Sequence, residues 1–294
     1  MNVTVVNRLI VGGETVDESL QPNKGNRCLT PDLSGATEKS GRVMTTPITE
    51  NMQPQLNLFG PVELIGARGT QPTRAVKQCL EYCAWLLRYP GKSATFMARS
   101  LLVAEGTRRS NMSRLRFWLG TDESGNPFLS DAYSGRIRLH PGVMSDWEQL
   151  HVFISGGIDR SSDQALIDAL GLVRGAPLAD AAPGQWHWAE EWRCDMVSVI
   201  RDIGVVVCQR ALQRSDIDLA RWAASRALLA APEDEQLLAA RIRTEHMAGN
   251  HSEVNRLAMH VTRTARMAGF DLSDAMVLLL QEVVEKAPRR RLVS

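Results

Sequence analysis

The sequence predicts a mainly α-helical chain: a winged helix-turn-helix with short strands and a hairpin wing, followed by an all-helical repeat region. Three observations predict it. Gly106 to Gly120 reads GTRRSNMSRLRFWLG, an arginine-rich helix with an apolar back. The stretch after it alternates polar and apolar residues, the period of a half-buried strand. From Val143 onward, apolar residues recur at helical spacing almost without interruption.

Residues 1–55 are rich in Thr, Ser, Asn, Gly and Pro, with sparse aliphatics beyond a short candidate strand at Val3–Val11. Such a composition buries too little apolar surface to offset chain entropy, so a flexible arm is expected, the first part lost to limited proteolysis. Residues 57–72 read as one or two short strands with turns at Gly60-Pro61 and Gly66. Thr73 then starts a helix to about Tyr89, with Val76, Leu80, Cys83, Leu86 and Leu87 on one side. Pro90-Gly91 ends it, and Ser93 caps a second helix from Ala94 to Val103, with Phe96, Met97, Leu101 and Leu102 facing inward. A Glu105-Gly106 turn leads into the basic helix, for which Thr107 is the expected N-cap and Gly120 the stop. Helix, short helix, turn and basic helix is the helix-turn-helix order. Strands ahead of the first helix belong to the OmpR-like subtype.

In the basic helix Met112, Leu115 and Leu119 form the apolar stripe. Ser110, Ser113, Arg114 and Phe117 point away from it, with Arg109 and Arg116 on its flank. An arginine and serine front suits a major groove, where Arg reaches phosphates and guanine edges. It also suits an ordinary solvated basic face. In Pro127 to Pro141, Arg136 and Arg138 alternate with Ile137 and Leu139 after a Ser134-Gly135 turn, the pattern of a basic wing.

The net charge is +1, but its distribution is uneven. Residues 56–145 hold a surplus of about six positive charges and residues 146–294 a deficit of about four. A basic part beside an acidic one implies a polyanion partner for the first only.

Helices are expected near 145–155, 162–173, 186–213, 216–230, 234–247, 251–268 and 273–285. Ser215 and Asn250 mark similar turns, so that Leu219 corresponds to Val254, Trp222 to Leu257 and Arg226 to Val261. That spacing is near a tetratricopeptide period.

The remaining residues point away from chemistry. The five cysteines form no CxxC, and Cys79 and Cys83 read as small buried hydrophobes rather than metal ligands. Trp186, Trp188 and Trp192 read as packing between the first repeat helices rather than as a ligand pocket. The histidines lack HxxxH and HExxH spacing, and His246 and His251 are expected at an exposed turn. There is no GxxxxGK[ST] and no GxSxG, so neither an enzyme nor a cofactor is expected. No apolar run approaches ~18–20 residues and no signal peptide is evident, which predicts a cytoplasmic protein without membrane attachment. The run from Pro288 to Arg291 reads as a solvated basic tail.

Several of these stretches carry a family resemblance. Phe59-Gly60-Pro61-Val62-Glu63, Ser113-Arg114-Leu115-Arg116 with Leu119-Gly120, and Ser134-Gly135 with Ile137-Arg138-Leu139 resemble the winged-helix half of the Streptomyces antibiotic regulatory proteins. Asp146-Trp147-Glu148 and the stretch RGAPLAD from Arg174 to Asp180 resemble the bacterial transcriptional activator domain (BTAD) that follows in that family. The chain is also similar to the C-terminal region of actinobacterial LysM/BTAD-containing proteins, in which a membrane anchor precedes this pair. No anchor occurs in these residues, so a free regulator is expected. It departs from the family at Phe117, where a polar residue is usual, and in a shorter link at Ala104-Glu105-Gly106.

Composition, periodicity and the resemblance, which spans roughly residues 57–286, together divide the chain into four parts: an arm at 1–55, a winged helix-turn-helix domain at 56–142, a tetratricopeptide-like activator domain at 143–286 and a basic tail at 287–294. The resemblance implies transcription regulation through double-stranded DNA. Arg108, Arg109, Ser110, Ser113, Arg114 and Arg116 would enter the major groove, and Arg136 and Arg138 would contact phosphates or the adjacent minor groove. The helical part would supply homodimer contacts or contacts to RNA polymerase or another protein. The alternative is a non-enzymatic adaptor whose winged helix no longer reads DNA, with Phe117 and Trp118 suited to a protein surface.

Overall fold

A computed structural model describes residues 53–130, 135–181 and 185–285. The expected strand at Val3–Val11, most of the arm, Ser134 and the basic tail lie outside the described residues.

The chain enters through a three-stranded sheet. β1 (Gln55–Asn57) is its centre, and β2 (Glu63–Ile65) pairs with it antiparallel, Leu56 opposite Leu64. Gln55 therefore belongs to the folded part. The third strand, β3 (Met144–Ser145), arrives from beyond the wing and runs parallel to β1. Two helices follow the β1–β2 hairpin. α1 (Val76–Arg88) begins three residues later than Thr73 predicted, with Ala75 in the left-handed region and no side-chain cap. It buries Cys79, Leu80, Tyr82, Cys83, Ala84, Trp85 and Leu86, more than one stripe, because α3 covers one side and the strands and tryptophans cover the others. α2 (Ala94–Ser100) is capped by the Ser93 hydroxyl, which accepts from the Phe96 amide at 3.1 Å. It is shorter than predicted, since Leu102 turns left-handed (φ 52°). Met97 and Leu101 face inward as expected, but Phe96 and Leu102 are exposed.

α3 (Glu105–Leu119) starts two residues before the predicted cap Thr107. Glu105 is already in its first turn, where a carboxylate favours the positive end of the helix dipole. Gly120 ends the helix at φ 78°, a conformation that favours glycine. The wing follows as single bridges rather than continuous ladders. Thr121 pairs with Pro127 and Leu129 with Leu139, while Arg136 pairs with Ser93 of the α1–α2 link. Ile137 and Leu139 are buried between exposed Arg136 and Arg138, the alternation the sequence predicts.

The rest is helical: α4 (Asp146–Phe153), α5 (Asp163–Gly171), α6 (Glu190–Gln213), α7 (Ile217–Leu228), α8 (Glu235–Met247), α9 (His251–Ala268) and α10 (Asp274–Glu285). Each predicted helical segment is present. Side-chain caps fix most starts: Ser145 with Glu148 as a capping box, then Ser162, Asp216, Asp234 and Asn250. From α6 to α9 each helix packs on the one before it, and α10 packs on α8. Among the described residues no helix is long and apolar enough to cross a membrane.

The two motifs behind the family resemblance meet in space. Both Asp146 carboxylate oxygens accept from the Leu58 amide, at 2.8 and 2.7 Å, and one also from the Phe59 amide at 2.9 Å. The amides of Arg174, Leu178 and Ala179 donate to the carbonyls of Phe59, Leu58 and Gly60 at 2.7, 2.8 and 3.1 Å. The Asp180 carboxylate accepts from the Val62 amide at 2.7 Å. RGAPLAD is thus a cradle for FGPVE. The tryptophans join the same seam. Trp186 stacks on Trp188, and Trp188 lies 6.1 Å from Tyr89 and donates to Glu81 of α1 at 3.0 Å. They are packing residues, as expected, but they pack α6 against α1 rather than repeat helices against each other. One apolar cluster therefore runs from Leu56 to Ala240, and a smaller one joins α8, α9 and α10.

Candidate nucleic-acid interface

α3 is held by its back. Met112, Leu115, Trp118 and Leu119 are buried, and the helix packs on α1 and, more lightly, on α2. Its opposite face, Arg109, Ser110, Ser113, Arg114 and Phe117, is exposed. The helical period put these residues on one side, and the structure keeps them there.

The predicted arginines do not share one fate. Arg109 is exposed and bonds Glu105 at 3.1 Å. Arg114 lies across the helix surface, its guanidinium 2.6 Å from the Asn111 side chain. Arg108 turns inward and is only 5% exposed, its fork bonded to both oxygens of Glu105 at 2.9 and 2.6 Å. That pairing, led by the bond from Arg108, pulls the Glu105 carboxyl down to about 2. The guanidinium of Arg116 donates to the carbonyls of Leu129 at 2.9 Å and Ser130 at 3.2 Å. Sequence reasoning put Arg108 and Arg116 in the groove. In the fold, Arg108 pins the start of α3 and Arg116 straps its end to the wing.

The wing adds Arg136 and Arg138, both exposed. Arg138 lies over Gly91, where even a Cβ would meet its guanidinium at 3.0 Å. One contributor was missed. Arg99 of α2 lines a shallow cleft with Arg109, Leu102 and Glu105 beside the start of α3. A lone arginine near the end of a short helix carries no sequence signal, and only the fold brings it beside Arg109.

Cys79 and Cys83 are buried, and burial pushes their thiols up to about 11 and about 12. Among the described residues no group of three His, Cys, Asp or Glu could hold a metal ion. His246 is half-buried rather than exposed, and His251 is exposed.

No family model matches the chain, and no curated protein matches it. Among solved structures, Mycobacterium tuberculosis EmbR, in complex with a low-affinity phosphopeptide, is similar with a TM-score of 0.54 at 18% identity. The match covers 80% of this chain and 66% of that one, just under two thirds of its length. The likeness is one of fold, a winged helix followed by a helical region.

Proposed function

We propose that this protein is a non-enzymatic transcription regulator that binds double-stranded DNA through α3 and the wing, of the antibiotic regulatory protein type. One observation carries this reading: an unburied α3 face bearing Arg109, Ser110, Ser113 and Arg114, with the exposed wing residues Arg136 and Arg138. Such a helix, apolar behind and arginine- and serine-bearing in front, fits a major groove, and the wing fits the flanking backbone. The local charge surplus supports it, because phosphate contacts supply most of the affinity of such modules. Residues 56–142 would form the reading part, and 143–286 the part for dimer or polymerase contacts. The fold shared with EmbR supports this class.

The test is duplex binding by fluorescence anisotropy across a salt series. A DNA reader loses affinity steeply with salt, because each neutralised phosphate releases counterions. A second reading rests on Phe117, 70% exposed at the end of the same face: an adaptor that presents it to a protein partner. Phe117→Arg separates the two. It tightens duplex binding if the face reads DNA, and it abolishes partner capture if the face is an adaptor surface. No duplex binding even at low salt rejects the DNA reading.

A further inference from the structure

The helical array leaves a cleft of about 470 Å³ between α6, α8 and the start of α10. That lies within the range of roughly 300–1,000 Å³ that holds small molecules. Its walls follow from the sequence. α8 presents Ala239 and Ala240 there, short side chains that leave the gap unfilled. Val205 and Cys208 of α6 and Met276 of α10 complete an apolar floor. The cleft falls on the seam between the two apolar clusters: Cys208 and Ala240 belong to the larger, Ala239 and Met276 to the smaller.

Two charged side chains line the cleft, Glu235 and Arg243. They stand at either end of its α8 wall, about 12 Å apart along the helix at ~1.5 Å per residue. Glu235 has a structural use. Its carboxylate accepts from the Ser273 hydroxyl and, at 3.1 Å, from the Ser273 amide. The same hydroxyl accepts from the Met276 amide in the first turn of α10, so the pair ties α8 to the start of α10. Arg243 has no such use. It is exposed, and among the described residues it forms no hydrogen bond or ion pair. Its neighbours one turn away are Ala239, Ala240, His246 and Met247, none of them acidic. Arg241, by contrast, has Glu245 one turn on and pairs with it at 3.0 Å. Gln209 of α6, also exposed, adds an amide donor to the lining.

We propose that this cleft binds a small carboxylate with an apolar body, the body on the Ala239 and Ala240 floor and the carboxylate on Arg243 and Gln209. A mostly apolar lining with a few placed polar groups is the usual make-up of a small-molecule site. A guanidinium takes a carboxylate through two parallel bonds. The anionic end goes to Arg243, because Glu235 repels it from the other end. A ligand so placed bridges the two apolar clusters and holds α10 to α6 and α8. The cleft uses no residue of α3 or the wing, so the proposal goes beyond the DNA reading and does not depend on it.

Isothermal titration calorimetry of the 294-residue chain with decanoate, decanol and acetate, each kept below aggregating concentrations, tests it. Decanoate is expected to bind saturably and one-to-one. Decanol, the same body without the charge, should bind about tenfold or more weakly, and acetate, the charge without the body, should not bind. Arg243→Gln should weaken decanoate about tenfold and leave decanol unchanged, and Arg243→Lys should recover part of the loss. Ala239→Leu fills the floor and should abolish binding of both. Circular dichroism checks that this variant folds, and the Arg243 changes alter only an exposed side chain. Decanoate should also slow hydrogen exchange in α10. The proposal is overturned by a chain that binds no decanoate saturably, or binds decanol as tightly. It is equally overturned if Arg243→Gln or folded Ala239→Leu binds decanoate like the wild type, or if exchange in α10 does not change. None of these outcomes bears on duplex binding, which is measured separately.

Discussion

Arginine side chains on one helix have three different uses here. Arg108 pairs with Glu105, Arg116 bonds carbonyls of the wing, and Arg114 stays on the surface beside Asn111. Their substitutions should therefore read out differently. Arg114 is outward in mid-helix, so Arg114→Ala should cost ~1–3 kcal/mol on a preferred duplex and relax its preference. Arg138 lies on the wing, so Arg138→Ala should weaken all duplexes alike and lower the salt slope by about one. Anisotropy on specific and scrambled duplexes checks both, and equal loss on both duplexes for Arg114→Ala would sink the assignment. Arg116→Ala should instead destabilise the fold by ~1–3 kcal/mol, because it strips two wing carbonyls of their charged donor. Denaturant unfolding measures that loss.

At the scale of elements, the seam between the strands and α4 depends on Asp146. Its carboxylate satisfies the amides of Leu58 and Phe59, which have no strand partner there. Asp146→Ala should cost about 2–4 kcal/mol by orphaning buried donors. Burial pushes the Asp146 carboxyl up to about 6, against the pull of the same amides. A folded-state pKa raised above the unfolded value means the folded chain holds the proton more tightly. Its contribution to stability is then fully present below about pH 4 and falls as the pH rises through about 6. The stability of the wild type relative to Asp146→Asn, followed by denaturant unfolding between these limits, should decline with rising pH. A flat difference would show that the amides hold the carboxylate ionised throughout.

Across the whole molecule, the packing is unequal. The larger apolar cluster spans the strands, α1, the wing and α6, tied by the tryptophans and the RGAPLAD cradle. The smaller cluster holds α9 and α10 against α8, with Leu228 of α7 at its edge. Local opening follows the density of buried contacts, so amides of α9 and α10 should exchange with solvent before those of α1 and α6. Hydrogen exchange with mass spectrometry would show it.

The sequence by itself determined the helices after Val143, the Ser93 cap of α2, the apolar back of α3 and the alternation of the wing. These follow from periods of 3.6 and 2 and from a short side-chain cap, interactions that span four residues or fewer. The sequence puts Arg108 in the groove, because Glu105-Gly106 reads as a turn before the helix, whereas Glu105 stands in its first turn and pairs with Arg108. The role of Arg116 was not legible, because its acceptors lie 13 and 14 residues ahead on a separate element. The Trp188–Glu81 bond crosses 107 residues and the Asp146–Leu58 bond 88. Periodicity states which side of a helix is apolar but not which element covers it. Only the tertiary structure decided that a basic helix spends two of its four arginines on its own fold and leaves two on its surface.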